Sequence, residues 1–251
     1  MDGNAERYLG LLKKTLTNVI YEDTPTPNPW LSGGTPYDAS ARIEGRDWPS
    51  AAHTMVGLKR LDSLHECLNR VLADNVPGDF IETGVWRGGV CIFMRAFLAA
   101  HECTDRTVWV ADSFEGFPDV AQGSHELDRE IPFQEANEVV AVPLATVQDN
   151  FNRYGLLDSQ VKFLRGWFKE TLPRAPMTRL ALLRLDGDLY ESTADGLENL
   201  YPKLSPGGFV IVDDYALPSC RQAVHEFRER NGIQDPIENI DYTGVFWRRS
   251  A

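Results

Sequence analysis

The segment Asp79-Phe-Ile-Glu-Thr-Gly-Val-Trp-Arg-Gly-Gly89 joins a short apolar run to a glycine-rich turn, and it decides the fold. Residues 79–83 predict a β-strand, and residues 88–100 predict a helix that begins where the turn ends. Glycine lets the backbone turn tightly and approach a ligand closely, and the first turn of a helix offers unpaired N–H groups. The segment is therefore typical of the first strand-turn-helix unit of an α/β fold that binds a nucleotide-like ligand.

The spacing of the glycines and the acid beside them indicate which kind of ligand the turn could bind. Gly84-x-x-x-Gly88-Gly89 differs from the Gly-x-Gly-x-x-Gly pattern of dinucleotide-binding folds, and Glu82 lies just before the first glycine. A carboxylate beside the turn disfavours a pyrophosphate and favours a cationic ligand such as a sulfonium amino acid. A purely structural turn is the alternative interpretation, and it accounts for the glycines but not for Glu82.

A second apolar run, Trp109-Val-Ala-Asp-Ser-Phe114, also ends in an acid, about 30 residues after the first. In doubly wound folds a carboxylate at the tip of the second strand accepts hydrogen bonds from ribose hydroxyls. Asp112 is the candidate for this contact. A helix N-cap or a turn aspartate is the alternative interpretation.

Two further strand ends carry paired acids, in Leu185-Asp-Gly-Asp188 and in Val212-Asp-Asp-Tyr215. The intervening segment has the length of one right-handed β-α-β crossover, so both ends should lie side by side at the carboxyl edge of the sheet. Four carboxylates in one small area repel one another unless a cation neutralises them, and oxygen ligands of this kind suit Mg²⁺. The pattern therefore predicts a metal site, with solvated turn acids as the alternative.

Short apolar runs alternate with helix-length segments from Gly78 onward, which predicts a mostly parallel α/β sheet. The predicted strands cover residues 79–83, 107–111, 161–164, 180–185, 209–212 and 245–247. The predicted helices that follow the first one cover residues 144–154, 192–201 and 219–230. Residues 121–143 are polar and contain prolines, so they predict a loop with a short helix, or a lid over the site.

The region before this domain predicts a helical cap. Apolar residues recur at three- and four-residue steps over residues 5–20, and a second helix fits residues 55–72. Residues 24–36 between them are rich in proline and glycine and predict a loop around Trp30. We therefore expect a cap over residues 1–75 and a Rossmann-like domain over residues 76–251.

Composition excludes several classes of partner. Acidic residues outnumber basic ones 37 to 25, for a formal net charge of -12, and no basic stripe offsets them. Nucleic acid and anionic membranes are therefore poor partners, and small molecules or cations are better ones. The 4 cysteines lack metal-site or disulfide spacing, so we expect free thiols. No stretch reaches the roughly 18 apolar residues of a membrane helix, and no signal peptide is visible, so we expect a cytoplasmic protein.

Four strings along the chain resemble the macrocin-type O-methyltransferases, which methylate deoxysugars on macrolide and aminocoumarin antibiotics. The strings begin at Glu82, Val110, Arg184 and Leu204, and the resemblance extends to residues 52–60 and 144–148, which is nearly the whole chain. It implies a class I methyltransferase fold with a seven-stranded sheet, S-adenosylmethionine as cofactor, and Mg²⁺. The exposed aromatic residues expected in the cap make a homodimer the expected assembly.

The resemblance also implies roles for particular residues. Mg²⁺ would be bound by Asp186, Asp213 and Asp214, and Asp188 would act as the general base. The residues implied to contact S-adenosylmethionine, including those that flank its adenine, are Met55, Glu82, Thr83, Gly84, Trp86, Arg87, Asp112, Ser113, Gly166, Trp167 and Phe168.

The predicted reaction is Mg²⁺-assisted methylation of a sugar hydroxyl on a large glycosylated natural product. A sugar hydroxyl is far less acidic than a carboxylic acid with a pKa of about 4, so Asp188 needs the metal to acidify the hydroxyl. A catechol- or phenylpropanoid-type O-methyltransferase acting on a phenol is the first alternative. A non-catalytic nucleotide-binding module is the second, but such a module has no need of the acidic cluster.

Overall fold

The computed structural model describes residues 3–27, 36–120, 124–130 and 132–250. Its described strands form one seven-stranded sheet: β1 (Asp79–Thr83), β2 (Val108–Asp112), β3 (Val161–Arg165), β4 (Leu180–Leu185), β5 (Leu204–Val212), β6 (Glu238–Asn239) and β7 (Val245–Arg248). The strand order is β3-β2-β1-β4-β5-β7-β6. The first five strands of this order are parallel, and β7 is antiparallel to both β5 and β6. The predicted α/β class and the mostly parallel seven-stranded sheet are confirmed.

The helices of the described residues are α1 (Gly3–Leu16), α2 (Ala39–Glu44), α3 (Gly57–Ala73), α4 (Gly89–Ala100), α5 (Asn137–Val140), α6 (Leu144–Arg153), α7 (Phe168–Thr171), α8 (Tyr190–Leu200) and α9 (Pro218–Arg230). Short 3₁₀ helices cover Glu126–Arg129, Phe133–Ala136, Leu172–Arg174 and Tyr201–Lys203. The segment predicted as a loop or lid therefore contains three short helical pieces, and its residues 121–123 and 131 lie outside the described part, as does the predicted Trp30 of the cap loop.

Several element ends differ from the predicted ones for local reasons. Helix α1 ends at Leu16 rather than at residue 20, because Asn18 adopts a left-handed conformation with φ 54° that a helix cannot continue through. Strand β5 begins at Leu204, five residues before the predicted start. The backbone of Gly207 and Gly208 pairs with Arg249, although two consecutive glycines are typical of a turn. Helix α2 and strand β6 are too short to produce a periodicity in the sequence.

The N-terminal helices pack into the same core as the sheet. Leu9, Leu12 and Leu16 of α1 are buried in one apolar cluster with Phe93 of α4 and Phe80 of β1. Burial of this kind stabilises a fold by roughly 1.5–3 kcal/mol for each large apolar side chain. The division of the chain into a cap and a Rossmann-like domain at residue 75 stays a prediction. No helix of the described chain is both long and apolar enough to cross a bilayer.

The strand order places a crevice between β1 and β4. The chain leaves β1 towards β2 and β3 on one side, and continues from β4 to β5 on the other, so the connections diverge at this point. Ligands of doubly wound sheets bind at such a switch point, beyond the carboxyl ends of the strands. Gly84, with φ 86°, lets the end of β1 lie against the backbone of Asp186, because a Cβ at this position would overlap the Asp186 carbonyl oxygen.

Candidate active site

Asp112 lies at the tip of β2 and ties this strand to the glycine turn. One carboxylate oxygen accepts a hydrogen bond from the N–H of Val85 at 2.8 Å, and the other accepts one from the N–H of Phe114 at 2.6 Å. Burial raises the pKa of Asp112, while these backbone donors act in the opposite direction. Ser113 Oγ is a further donor, 3.5 Å from one of these oxygens, so neighbouring residues hold the Asp112 carboxylate at the tip of β2.

The residues around Asp112 form the rest of the crevice. The N–H of Gly166 donates to the Asp112 carbonyl at 2.9 Å, which brings the Gly166-Trp167-Phe168 turn beside β2. Ser113 donates through Oγ to the Gly116 carbonyl at 3.0 Å and so shapes the loop after β2. Gly84, Trp86 and Asp112 are half-buried, whereas Glu82 and Thr83 are buried.

Trp86 and Arg87 link the turn to neighbouring segments. The Trp86 indole N–H donates to the Val139 carbonyl at 2.9 Å, and the Arg87 guanidinium lies over the Trp86 ring at 4.1 Å. Arg87 also donates to the Ala52 carbonyl at 2.8 Å. Met55 is half-buried just before α3. Trp86 and Arg87 thus connect the glycine turn to α5 and to the loop before α3, and the contact of Met55, Trp86 and Arg87 with a cofactor stays a prediction.

Three carboxylates converge at the ends of β4 and β5. Asp186, Asp188 and Asp214 each present an oxygen, and these oxygens lie within 4.8 Å of one another. The N–H of Asp188 donates to an Asp214 carboxylate oxygen at 3.2 Å, and the backbone of Asp188 is left-handed, with φ 56°. A non-glycine residue held in this conformation is often found at functional sites.

Asp188 and Asp214 of this cluster have raised pKa values. Burial, followed by the charges of Asp186 and Asp213, raises the pKa of Asp188 to about 8. Burial and the charge of Asp188 raise the pKa of Asp214 well above its ordinary value. In the described part of the chain, neither Asp188 nor Asp214 forms an ion pair with an arginine or a lysine. Half-buried carboxylate oxygens that converge in this way, two of them without a cationic partner among the described residues, fit a hard divalent cation such as Mg²⁺.

Arg184 occupies the centre of a second group of acids. Its guanidinium donates to Glu82 at 2.5 Å, to Asp186 at 2.6 Å, and to one oxygen of Asp213. Burial raises the pKa of Glu82 to about 7, and the charge of Arg184 opposes this rise. The other oxygen of Glu82 accepts from the Cys91 thiol at 2.9 Å. Glu82 therefore orients Arg184 in the interior, and its contact with the cofactor stays a prediction.

Asp213, a predicted metal ligand, is held by two arginines. Its second oxygen accepts from Arg60, which also donates to Asp241 at 3.0 Å and to the Gly45 carbonyl at 3.0 Å. The structure therefore brings Asp186 and Asp214 together with the predicted base Asp188, while Asp213 lies beside them in the arginine network.

The sequence alone predicted no role for Arg60 or Arg184, although both lie within the segments that resemble the family. The signal for Arg184 was a charged residue inside the otherwise apolar strand β4, because a fully buried arginine needs acidic partners. Arg60 gave no comparable signal. Its position on the amphipathic helix α3 is compatible with an exposed residue.

A Rossmann-like sheet with this strand order, a ligand crevice between β1 and β4, and acids at the adjoining strand ends defines a class I methyltransferase. The chain belongs to the macrocin O-methyltransferase (TylF) family, whose model matches residues 30–249. The predicted family and the predicted O-methyltransferase activity are thereby confirmed, and the alternative of a non-catalytic nucleotide-binding module is wrong.

Individual relatives agree with this family. The chain is 65% identical, over 97% of its length and 93% of the relative, to the 8-demethyl-8-(2,3-dimethoxy-alpha-L-rhamnosyl)-tetracenomycin-C 4'-O-methyltransferase of Streptomyces olivaceus. It is 56% identical to the mycinamicin III 3''-O-methyltransferase of Micromonospora griseorubida, over 98% of this chain and 97% of that one. The solved structure of the O-methyltransferase NovP has a TM-score of 0.93 and 52% identity, over 98% of this chain and 100% of that one.

Proposed function

We propose that this protein transfers a methyl group from S-adenosylmethionine to a sugar hydroxyl on a glycosylated natural product, as a step of antibiotic biosynthesis. The observation that carries the proposal is the group of three convergent carboxylates, Asp186, Asp188 and Asp214, beside the crevice between β1 and β4. The tetracenomycin relative named above supports the sugar acceptor, because its substrate carries a rhamnosyl group. A small phenol needs less activation, and nothing in the site favours it.

The crevice fits the cofactor through the chemistry of its donors. S-adenosylmethionine supplies the methyl group as an electrophilic sulfonium substituent. Asp112 would accept hydrogen bonds from its ribose hydroxyls, as carboxylates at the tip of the second strand do in doubly wound folds. Ser113 and the turn at residues 166–168 would flank the adenine, since hydrogen bonds already place both beside Asp112.

The acid cluster fits Mg²⁺, which would act as a Lewis acid that lowers the pKa of an acceptor hydroxyl. Asp186 and Asp214 would bind the ion directly. Asp213 would be the third ligand, because each of its oxygens keeps a lone pair beyond its hydrogen bond from an arginine. Arg60 and Arg184 would keep Asp213 in place.

Asp188 is the proposed base, and it would take the proton of the acceptor hydroxyl on a carboxylate oxygen. Its raised pKa in the absence of a counter-charge would fall next to a cation, so the site would provide an ionised base at neutral pH. The chain's own contribution is then alignment, because methyl transfer requires the attacking oxygen to lie in line with the sulfonium.

The test is an activity assay with labelled S-adenosylmethionine. The acceptors are rhamnosylated polyketides, glycosylated macrolides and glycosylated aminocoumarins, together with their aglycones and free catechol. We expect label on at least one glycoside and none on the aglycones, with loss of activity in EDTA and its return when Mg²⁺ is added. Efficient labelling of catechol or of an aglycone would show that the acceptor is a phenol and not a sugar. Full activity in EDTA would show that the reaction needs no metal.

We further propose a homodimer in the cytoplasm. Tyr8, Leu11, Ile20 and Tyr21 are large apolar residues that remain exposed on and after α1. Such residues favour contact with a second copy of the chain. Light scattering on the purified protein tests the dimer, and a monomeric mass at micromolar concentration would contradict it.

A further inference from the structure

Asp128 is a buried acid in the polar segment that follows β2. It belongs to the short 3₁₀ helix Glu126–Arg129, and only 1% of its surface is exposed. Its two carboxylate oxygens accept hydrogen bonds from the N–H groups of Tyr190 at 2.6 Å and Glu191 at 3.1 Å. These are the first two residues of α8, so Asp128 caps this helix from a position 62 residues earlier in the chain.

The neighbour of Asp128 makes a second attachment to the same helix turn. The His125 ring stacks on the Tyr190 ring, with centroids 3.7 Å apart and planes 9° from parallel. The backbone N–H of His125 donates to the Glu191 carboxylate at 3.0 Å, and the Tyr190 hydroxyl donates to the Glu226 carboxylate of α9 at 2.6 Å. Residues 124–130 are therefore fixed to the first turn of α8, which is in turn fixed to α9.

This helix turn is directly connected to Asp188. Only Leu189 separates Asp188 from α8, and Leu189 provides no side-chain cap for the helix. The Asp188 carbonyl accepts a hydrogen bond from Ser219 Oγ at 2.8 Å, which fixes it to the start of α9. A shift of the first turn of α8 would therefore be transmitted to Asp188 through a single residue.

We propose that Asp128 is a positioning residue for methyl transfer. It holds residues 124–130 closed against α8, so that this segment covers the acceptor while the first turn of α8 keeps Asp188 aligned. The inference rests on the proposed role of Asp188 as the base. Asp128 itself does not touch the reacting atoms.

The test is the substitution Asp128→Asn in the full chain, which keeps the size of the side chain but replaces one acceptor oxygen with an N–H donor. We expect kcat to fall on the order of 10-fold and the KM of the acceptor to rise, while the KM of S-adenosylmethionine stays unchanged. Trypsin should cut after the exposed Arg129 faster than in the wild type, as measured by mass spectrometry of the fragments.

Two control variants separate positioning from a loss of helix stability. Ala194→Gly weakens α8 by helix propensity without touching residues 124–130, and Glu126→Gln removes an exposed charge from the same 3₁₀ helix. Both should keep the wild-type kcat and the wild-type cleavage rate at Arg129. A loss of kcat in Ala194→Gly equal to that in Asp128→Asn would overturn the proposal, as would wild-type kinetics and cleavage in Asp128→Asn. The cleavage measurement needs no acceptor, so its result stands even if the proposed sugar acceptor is wrong.

Discussion

Arg60 and Asp213 form a buried ion pair between helix α3 and the carboxyl end of β5, across 153 residues of sequence. Arg60 also binds Asp241 in the connection between β6 and β7. A single guanidinium thus joins the N-terminal helices, the acid cluster and the last strands of the sheet. The N-terminal helices therefore contribute to the active site through charge as well as through packing.

Replacement of Arg60 by methionine should destabilise the protein strongly. The substitution leaves Asp241 without its cationic partner and Asp213 with one arginine instead of two, and breaking a buried ion pair in this way typically costs about 3–5 kcal/mol. Urea denaturation measures the change in the free energy of unfolding. The control is Arg46→Met, since Arg46 pairs with Glu44 at the exposed surface, where solvent screens the pair and the loss of stability should be much smaller. Equal losses in the two variants would contradict the structural role of Arg60.

Substitution of the proposed metal ligands should abolish most activity without unfolding the protein. Asp186→Asn and Asp214→Asn each remove a negative oxygen from the cluster, so Mg²⁺ binding measured by calorimetry should be lost together with turnover. Asp213→Asn should lose both activity and stability, because it also removes one buried charged partner from each of Arg60 and Arg184. Asp149→Asn, at an exposed acid of α6, is the control. An Mg²⁺ affinity in Asp214→Asn equal to that of the wild type would show that Asp214 is not a metal ligand.

Asp112→Ala should weaken S-adenosylmethionine binding by about 1–3 kcal/mol, through the loss of charge-assisted hydrogen bonds to the ribose. Asp112 also accepts from Val85 and Phe114, so the alanine variant tests the turn and the ligand contact together. Asp112→Asn keeps an acceptor for one of these backbone donors and should lose less affinity. Titration calorimetry with S-adenosylmethionine gives both values, and an unchanged affinity in Asp112→Ala would refute the assignment.

Asp188→Asn should reduce turnover of a glycosylated acceptor on the order of 10²–10⁴-fold, because a sugar hydroxyl needs a general base. Binding of Mg²⁺ and S-adenosylmethionine should persist, which calorimetry checks in the same preparation. A phenolic acceptor ionises more readily and should suffer much less from the same change at high pH. If Asp188→Asn left the turnover of every glycoside almost unchanged, a phenol would be the better candidate for the natural acceptor.

The stability of the protein should depend on pH through His53. Burial, followed by the charges of Arg153 and Arg87, lowers the pKa of His53 to about 4 from 6.5. Between these two values the unfolded chain binds more protons than the folded one, so the free energy of unfolding falls as the pH is lowered through this window.

His53→Gln removes this ionisable group and keeps a side chain that can bond the Tyr154 hydroxyl, which lies 2.7 Å from His53 Nδ1. The loss of stability between about pH 7 and about pH 5 should therefore be smaller in the variant than in the wild type. Urea denaturation at both pH values measures the difference, with His225→Gln at an exposed position as the control. Equal losses in His53→Gln and wild type would rule out His53 as the source.

Local patterns in the sequence determined the architecture. Apolar runs bounded by glycine, proline or acids located the six longer strands, because strands covered by helices are mostly apolar and end where polar groups meet solvent. The acids at the ends of β1, β2, β4 and β5 could be predicted to share one edge for the same reason: parallel strands place their carboxyl ends together.

The tertiary structure alone decided how charge is distributed among those acids. Arg60 reaches Asp213 across 153 residues, and Asp128 reaches Tyr190 across 62, and no local periodicity encodes either distance. Whether a carboxylate is neutralised by an arginine, by helix N–H groups or by nothing in the chain depends on which side chains the packed sheet and helices bring within about 3 Å of it. That is why the sequence predicted an acidic edge and a metal, while the structure showed that Asp188 and Asp214 lack a cationic partner among the described residues and that Asp213 has two.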